Sequence, residues 1–311
     1  MTRTLRIFAW ASFIAQVTII ATGGAVRLTG SGLGCPTWPT CTPDSLVPTD
    51  ELSYHSLIEF GNRLMTGVVG ILALIVFLLV WRIRRERRDL FVLSFIVGLG
   101  IVAQAIVGGI TVWTGLNPFI VGFHYVSSLA LVCVTAAFLA RMDEPAGPRE
   151  RAVPGWYAGL THATSAVLAL TIVFGVLTTG SGPHSGDAEA GRTGFDSELL
   201  EHVHAWPGYA LVALTLVLAV AAWRLKLPTL GWVIVLLAAE VLQVAVGLYQ
   251  ARNGLPVLAV GVHMVLAALT AATMTLVVLR LKRPAATSDS PAEASSAASA
   301  TGTAEAGASA A

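Results

Sequence analysis

Six residues of one apolar stretch recur in a second stretch in the same register. Gln104, Gly108, Gly115, Leu116, Gly122 and His124 are matched by Gln243, Gly247, Gly254, Leu255, Gly261 and His263, every pair 139 residues apart. One offset held over this length describes a single duplication of a bundle, because solenoid repeats have periods of roughly 20–50 residues. Two further matches carry the duplication towards the N-terminus. Thr29-Gly30-Ser31-Gly32 recurs as Thr179-Gly180-Ser181-Gly182, and Glu59 to Arg63 lies against Glu201 to Ala205, with Glu59 on Glu201 and Asn62 on His204. The offset changes only where loops intervene. Each half therefore ends its repeated segment in Gly-x-His and places one histidine at a comparable depth.

With 55% hydrophobic and only 12% charged residues, a chain of 311 residues has more apolar surface than a water-soluble core can hide, and a bilayer is its solvent. The net charge of +1 is spread over loops and gathers on no face, so no nucleic-acid partner is expected. Apolar runs lie at about Phe8 to Val26, Leu57 to Trp81, Leu90 to Trp113, Phe119 to Ala140, Trp156 to Thr178, Leu200 to Trp223, Thr229 to Gln250 and Pro256 to Leu279. Each is long enough to cross about 30 Å of hydrocarbon as a helix. The first is read as a retained span, since its Thr-Gly-Ser-Gly exit recurs after a mid-chain helix that is no signal peptide. Trp81, Trp113, Trp156, Trp223 and Trp232 lie near span ends, at headgroup level.

The expected fold is an all-α integral membrane protein whose eight transmembrane helices form two duplicated four-helix bundles. The halves are residues 1–141 and 142–283; residues 284–311 form an Ala/Ser-rich tail with nothing to bury, expected to be disordered. Orientation follows from the short basic loops. Arg3 and Arg6, the five arginines between Arg82 and Arg88, Arg141, Arg149 and Arg151, Arg224 and Lys226, and Arg280, Lys282 and Arg283 all fall on one side. That side is cytoplasmic, and both termini lie there. Arg27, Arg192 and Arg252 fall on the other. With an even number of spans each, the halves insert the same way up, related by an axis along the membrane normal.

Asn62, His124, His204 and His263 all fall within about two helical turns of the outer start of their even-numbered spans. His204 and His263 are placed to approach a flat ligand from opposite faces as axial donors to an iron. The first half offers His124 opposite Asn62. His162 has no repeat partner and is expected to hydrogen-bond a neighbouring helix. Glu59 and Arg63, four apart, form an ion pair on one face, and His55, Glu59 and Asn62 make a polar stripe beneath the long outer loop. Glu201 is read as a helix-start carboxylate. Glu240, in mid-span, is either a buried hydrogen-bonded acid or part of a proton path. Cys35 and Cys41 share an outer loop where disulfides persist; they are either a structural staple or a redox-active pair. Cys133 is a packing residue.

The outer loop Thr29-Gly30-Ser31-Gly32-Leu33-Gly34-Cys35 through Trp38-Pro39-Thr40-Cys41, the following Ile58-Glu59-Phe60-Gly61-Asn62-Arg63 and the repeated histidines resemble the haem A synthase family over about residues 8 to 283. The resemblance implies a cell-membrane oxidoreductase that converts the C8 methyl of haem O to the formyl of haem A by successive hydroxylation and loss of water. One half would hold the substrate haem and the other a haem b that relays electrons. By position, His204 and His263 ligate haem b; His124 is the iron ligand of the substrate haem, with Asn62 and Arg63 lining that site; Glu59 is the acid near the reacting methyl, and Cys35 and Cys41 are the outer cysteine pair. Haem O synthase, a farnesyltransferase, and oxidase assembly factors are the implied partners. The chain departs from the family pattern at Asn62, where many members have a histidine; a five-coordinate iron on His124 is expected, with His55 as the alternative ligand. A di-haem electron carrier and a parallel-repeat transporter are the competing readings.

Overall fold

Every apolar run folds as one helix. The computed structural model describes residues 1–49 and 53–285, with α1 (Arg3–Leu28), α2 (Tyr54–Trp81), α3 (Arg88–Trp113), α4 (Pro118–Met142), α5 (Gly155–Ser181), α6 (Ser197–Arg224), α7 (Leu230–Arg252) and α8 (Val257–Leu279). Among the described residues all eight are long and apolar enough to cross a membrane, and the chain is a multi-pass membrane protein. Large apolar side chains such as Leu99, Val102, Phe123 and Leu258 stand exposed around the bundle, a surface that only lipid covers without penalty. The helices outrun the predicted spans at several ends because local caps extend them. Thr2 Oγ1 accepts Leu5 N–H, and Asn117 Oδ1 accepts the N–H groups of Phe119 and Ile120 ahead of α4. Asp196 caps α6 by accepting Glu198 and Leu199 N–H. This corrects the expectation for Glu201, which lies beyond the first turn and is exposed.

Helices α1 to α4 close a ring in which α4 returns to α1, and α5 to α8 close a second in which α8 returns to α5. The rings meet through α4 on α8, with α1 on α8 and α4 on α5 flanking that contact as a symmetric pair. Between them Ile20, Leu129, Val132, Ala136, Ala268 and Ala272 form one buried cluster; its alanines let the helices approach closely. Two repeated residues explain themselves here. A Cβ on Gly122 of α4 would lie 2.6 Å from Val176 Cγ1 of α5, and one on Gly261 of α8 would lie 3.3 Å from Leu28 Cδ1 of α1. The glycine of each Gly-x-His thus seats the first helix of the opposite half.

The repeated Gly-Leu pair closes the turns. Gly115 and Leu116 have φ of 58° and 59°, Gly254 and Leu255 of 70° and 57°, and Leu116 N–H reaches Thr111 O at 2.8 Å as Leu255 N–H reaches Gln250 O at 2.9 Å. A left-handed leucine costs roughly 1–2 kcal/mol; Leu116 is buried in return, under Gly32 and Gly186 of the two long loops. At the face that carries the N-terminus, β1 (Arg149–Arg151) pairs antiparallel with β2 (Lys282–Pro284), and Ala285 N–H donates to Pro148 O. Pro284 and Ala285 are therefore anchored, and the rest of the expected tail, 286–311, lies outside the described residues.

Candidate functional site

Asn62, His124, His204 and His263 stand six to eight residues into α2, α4, α6 and α8, about 9–12 Å from the helix starts at 1.5 Å per residue. The structure brings His204 and His263 together. Their ring centres lie 6.2 Å apart with planes at 85°. Two imidazoles on opposite sides of one metal have centres roughly 6 Å apart, from metal–nitrogen bonds of about 2 Å each plus the ring radii. Each ring has a floor and a partner. A Cβ on Gly175 of α5 would meet His204 Cε1 at 2.8 Å, and one on Gly247 of α7 would meet His263 Cε1 at 3.4 Å. His204 Nδ1–H donates to Thr171 O at 2.9 Å, leaving Nε2 as the nitrogen with a free lone pair. The Gln243 amide N–H groups donate to His263 Nδ1 at 2.9 Å and to His263 O at 3.2 Å, and its oxygen accepts Ala267 N–H at 3.1 Å. Among the described residues no three His, Cys, Asp or Glu side chains converge on a metal position. The donor set is a pair of oriented imidazoles, and an iron porphyrin, which brings its own equatorial nitrogens, fits it.

The first half repeats the floor and not the pair. Gly108 of α3 lies beneath His124, at 3.5 Å from a would-be Cβ to Cε1, and His124 Nδ1 is buried with no hydrogen-bond partner among the described residues. Asn62 is tied to α1, where Thr22 Oγ1–H donates to its Oδ1 at 2.7 Å. His55 Nδ1 is 2.9 Å from Ser31 Oγ, within the outer loop cluster. His162 is exposed and makes no hydrogen bond among the described residues, contrary to expectation. The α4 and α8 sites are nonetheless joined: Tyr125, next to His124, donates its hydroxyl to the carbonyl of Met264, next to His263, at 2.8 Å.

Glu59 and Arg63 pair as their spacing predicts, and the pair clamps the outer loop. Arg63 donates to Glu59 Oε1 from Nε and Nη2, to the carbonyls of Thr37 and Thr40 from Nη1, and to Cys35 O from Nη2. Glu59 Oε2 accepts Cys35 N–H at 2.7 Å. All five guanidinium donors are spent inside the protein. Cys35 and Cys41 form a disulfide. The loop then crosses to α3, where a Cβ on Gly109 would lie 2.5 Å from the Trp38 ring and Trp113 Nε1–H donates to Trp38 O at 3.3 Å. In the second half Arg27 of α1 donates to His184 O and Thr179 O, and Gly32 N–H reaches Gly186 O at 2.8 Å, so the two loops form one cover. Glu240, 2% exposed, accepts Thr215 Oγ1–H on one oxygen and has no partner among the described residues for the other.

Thr171 and Gly175 escaped the sequence reading. Their signal is the four-residue spacing that puts both on one face of α5, but nothing pointed from that face to His204. Gly175→Ala is expected to push the His204 ring off its floor and to weaken any haem binding by the histidine pair, whereas Gly247→Ala, with ordinary contact distance, is expected to be mild. Pyridine haemochrome assay of the two purified variants checks this.

Residues 6–183 match the family model described as cytochrome oxidase assembly protein. A heme A synthase of Lysinibacillus sphaericus is 36% identical over 141 residues, 45% of this chain and 45% of that protein. Heme A synthases of Geobacillus kaustophilus and Listeria welshimeri are 33% and 29% identical over 143 and 140 residues, in each case 45% of this chain and 43% and 45% of the relative. The alignments thus span less than half the length of the curated relatives. The family match holds Cys35, Cys41, Glu59 and His124 and stops before α6, so His204 and His263 rest on the duplication and on their own geometry.

Proposed function

Because the chain belongs to the cytochrome oxidase assembly protein family, we propose that it is a haem A synthase, oxidising the C8 methyl of haem O to a formyl group. The observation that carries the reading is the His204–His263 pair, whose ring centres lie 6.2 Å apart and which would hold an iron porphyrin between them. A haem b bound there supplies reversible one-electron transfer. The chain's own residues do the rest. Residues 142–283 hold the relay through His204 and His263, and residues 1–141 hold the substrate haem on His124. Asn62 is a poor iron ligand and is already bonded to Thr22, so among the described residues His124 is the one that would hold that iron.

In this reading Glu59 and Arg63 act with the disulfide as one unit. They keep the Cys35–Cys41 loop over the first half, where it excludes water from an apolar, isoprenoid-tailed substrate. A proton taken up by Glu59 would weaken the bonds it accepts from Cys35 N–H and Arg63, so its protonation would bear on the loop. In this reading the basic loops face the cytoplasm across the cell membrane, with both termini on that side, and the disulfide loop faces the oxidising side. A farnesyltransferase that makes haem O stands upstream and oxidase assembly downstream.

The test is mass identification of the pigments extracted from protein purified from cells that also make haem O. Haem b together with haem O, a hydroxylated intermediate or haem A is the expected result. Haem b alone would turn the reading towards an electron carrier, and no haem at all would overturn it.

A further inference from the structure

Glu240 puts a carboxyl group in the middle of a membrane helix, and the duplication shows that the bundle packs without it. It is 2% exposed, accepts Thr215 Oγ1–H at 2.9 Å on Oε1, and leaves Oε2 buried with no partner among the described residues. The register of the halves, 142 residues between α2 and α6 and 139 between α3 and α7, sets Thr215 on Ala73 and Glu240 on Ile101. Ala73 and Ile101 belong to one buried apolar cluster of the first half. The same layer is hydrocarbon in one half and a half-satisfied acid in the other. An ionisable group kept at such a depth against its solvation cost marks function.

Its surroundings say which function. Glu240 stands ten residues into α7, and Thr215 nine residues before the end of α6. Both are about 14–15 Å from the helix ends on the face that carries the N-terminus, near mid-membrane. Gln243 and Gly247 follow Glu240 at i+3 and i+7, on the face of α7 that meets His263. The acid lies one helical turn beneath the residue that bonds that histidine. Towards the N-terminal face, Tyr157, Thr161 and Thr164 of α5 are fully buried on one helix face, and the Tyr157 hydroxyl bonds Thr229 at the start of α7 at 2.8 Å. Hydroxyls thus line the bundle between that face and the acid. Among the titratable groups on the two helices packed against α7, Glu198, Glu201, His202, His204 and Tyr209 lie before the middle of α6, Arg224 ends it, and α8 has His263 alone. The histidine pair is the neighbouring place where charge can change.

We propose that Glu240 is the proton acceptor that keeps the second half electrically balanced, taking up one proton when an electron reaches a haem held by His204 and His263 and releasing it when the electron leaves. The inference rests on the haem reading given above. An external one-electron donor is oxidised as the iron goes from ferric to ferrous; an O–H bond forms at Glu240 Oε2 with a proton from solvent, and Oε1 keeps its Thr215 bond. One added electron is matched by one added proton, which a low-dielectric interior favours over an uncompensated charge.

The test is a spectroelectrochemical titration of the haem-loaded full-length protein with one-electron mediators at a series of pH values. The midpoint potential should fall by up to about 59 mV for each tenfold drop in proton concentration, the one-electron value. Redox-difference infrared spectra should show the C=O stretch of a protonated carboxylic acid growing on reduction. Glu240→Gln, which keeps a hydrogen-bond acceptor and cannot titrate, should flatten the potential and remove the band, whereas Thr215→Ala leaves the acid in place and should keep both. Thr215→Ala/Glu240→Ile installs the first-half pair and serves should Glu240→Gln fail to assemble. The proposal falls if the wild-type potential does not vary with pH, or if it varies as steeply once the acid is removed. Bound haem with a flat potential refutes the proposal alone; a protein that takes up no haem refutes the haem reading beneath it.

Discussion

If the second half holds a haem as proposed, replacing His263 by alanine is expected to strip that haem and to abolish the low-spin absorbance of a bis-imidazole iron. The removed group is one of two donors whose ring centres lie 6.2 Å apart. Gln243 then orients nothing, and His204 faces a cavity. Loss of an outer partner alone costs about 10–100-fold in metal affinity, and loss of the ligand itself should exceed that. His204→Ala should behave alike. His124→Ala should spare the low-spin signal, and His162→Ala, at an exposed position, should change nothing. Absorption spectra with haem quantification check all four; a His263→Ala protein with a full low-spin spectrum would exclude this pair as axial ligands.

Arg63→Ala is expected to release the outer loop. Glu59 and Arg63 side chains are only 7% and 19% exposed, and removing one member of a buried pair typically costs about 3–5 kcal/mol because the other charge is left uncompensated. Here three loop carbonyls also lose their donor. The variant should lose heat resistance in detergent, and Cys35 and Cys41 should become labelled by an alkylating reagent under mild reduction that spares the wild type. A double Glu59→Leu/Arg63→Leu change should cost less stability than Arg63→Ala, since it orphans no charge. If the disulfide in Arg63→Ala stays as protected as in wild type, the clamp is not what holds the loop.

Much of the site was legible because it was written twice. The 139-residue offset marked Gln104, Gly108, Gly122 and His124 as a set before any contact was known, and the i, i+4 spacing of Glu59 and Arg63 announced their ion pair. The reasons for the repeated residues were not legible. Gly108 and Gly247 floor the imidazoles, Gly122 and Gly261 seat the opposite half, and Gly115 and Gly254 turn the chain. Linear spacing cannot tell these apart, since all three demand the same missing Cβ. The α6 start was misjudged because Glu201 matched Glu59 in register, while the loop before α6 placed the cap on Asp196, five residues earlier.

What the sequence determined by itself was what is local or periodic: eight apolar helices, their duplication, and the common depth of Asn62, His124, His204 and His263. These follow from a rise of about 1.5 Å per residue and from the solvent that each residue tolerates. Only the tertiary structure decided which groups meet. It spent every donor of Arg63 on Glu59 and the disulfide loop, tied Asn62 to Thr22, and gave His263 a glutamine that His124 lacks. Those outcomes depend on the rotation of each helix about its own axis, which packing between helices sets and which no single helix encodes.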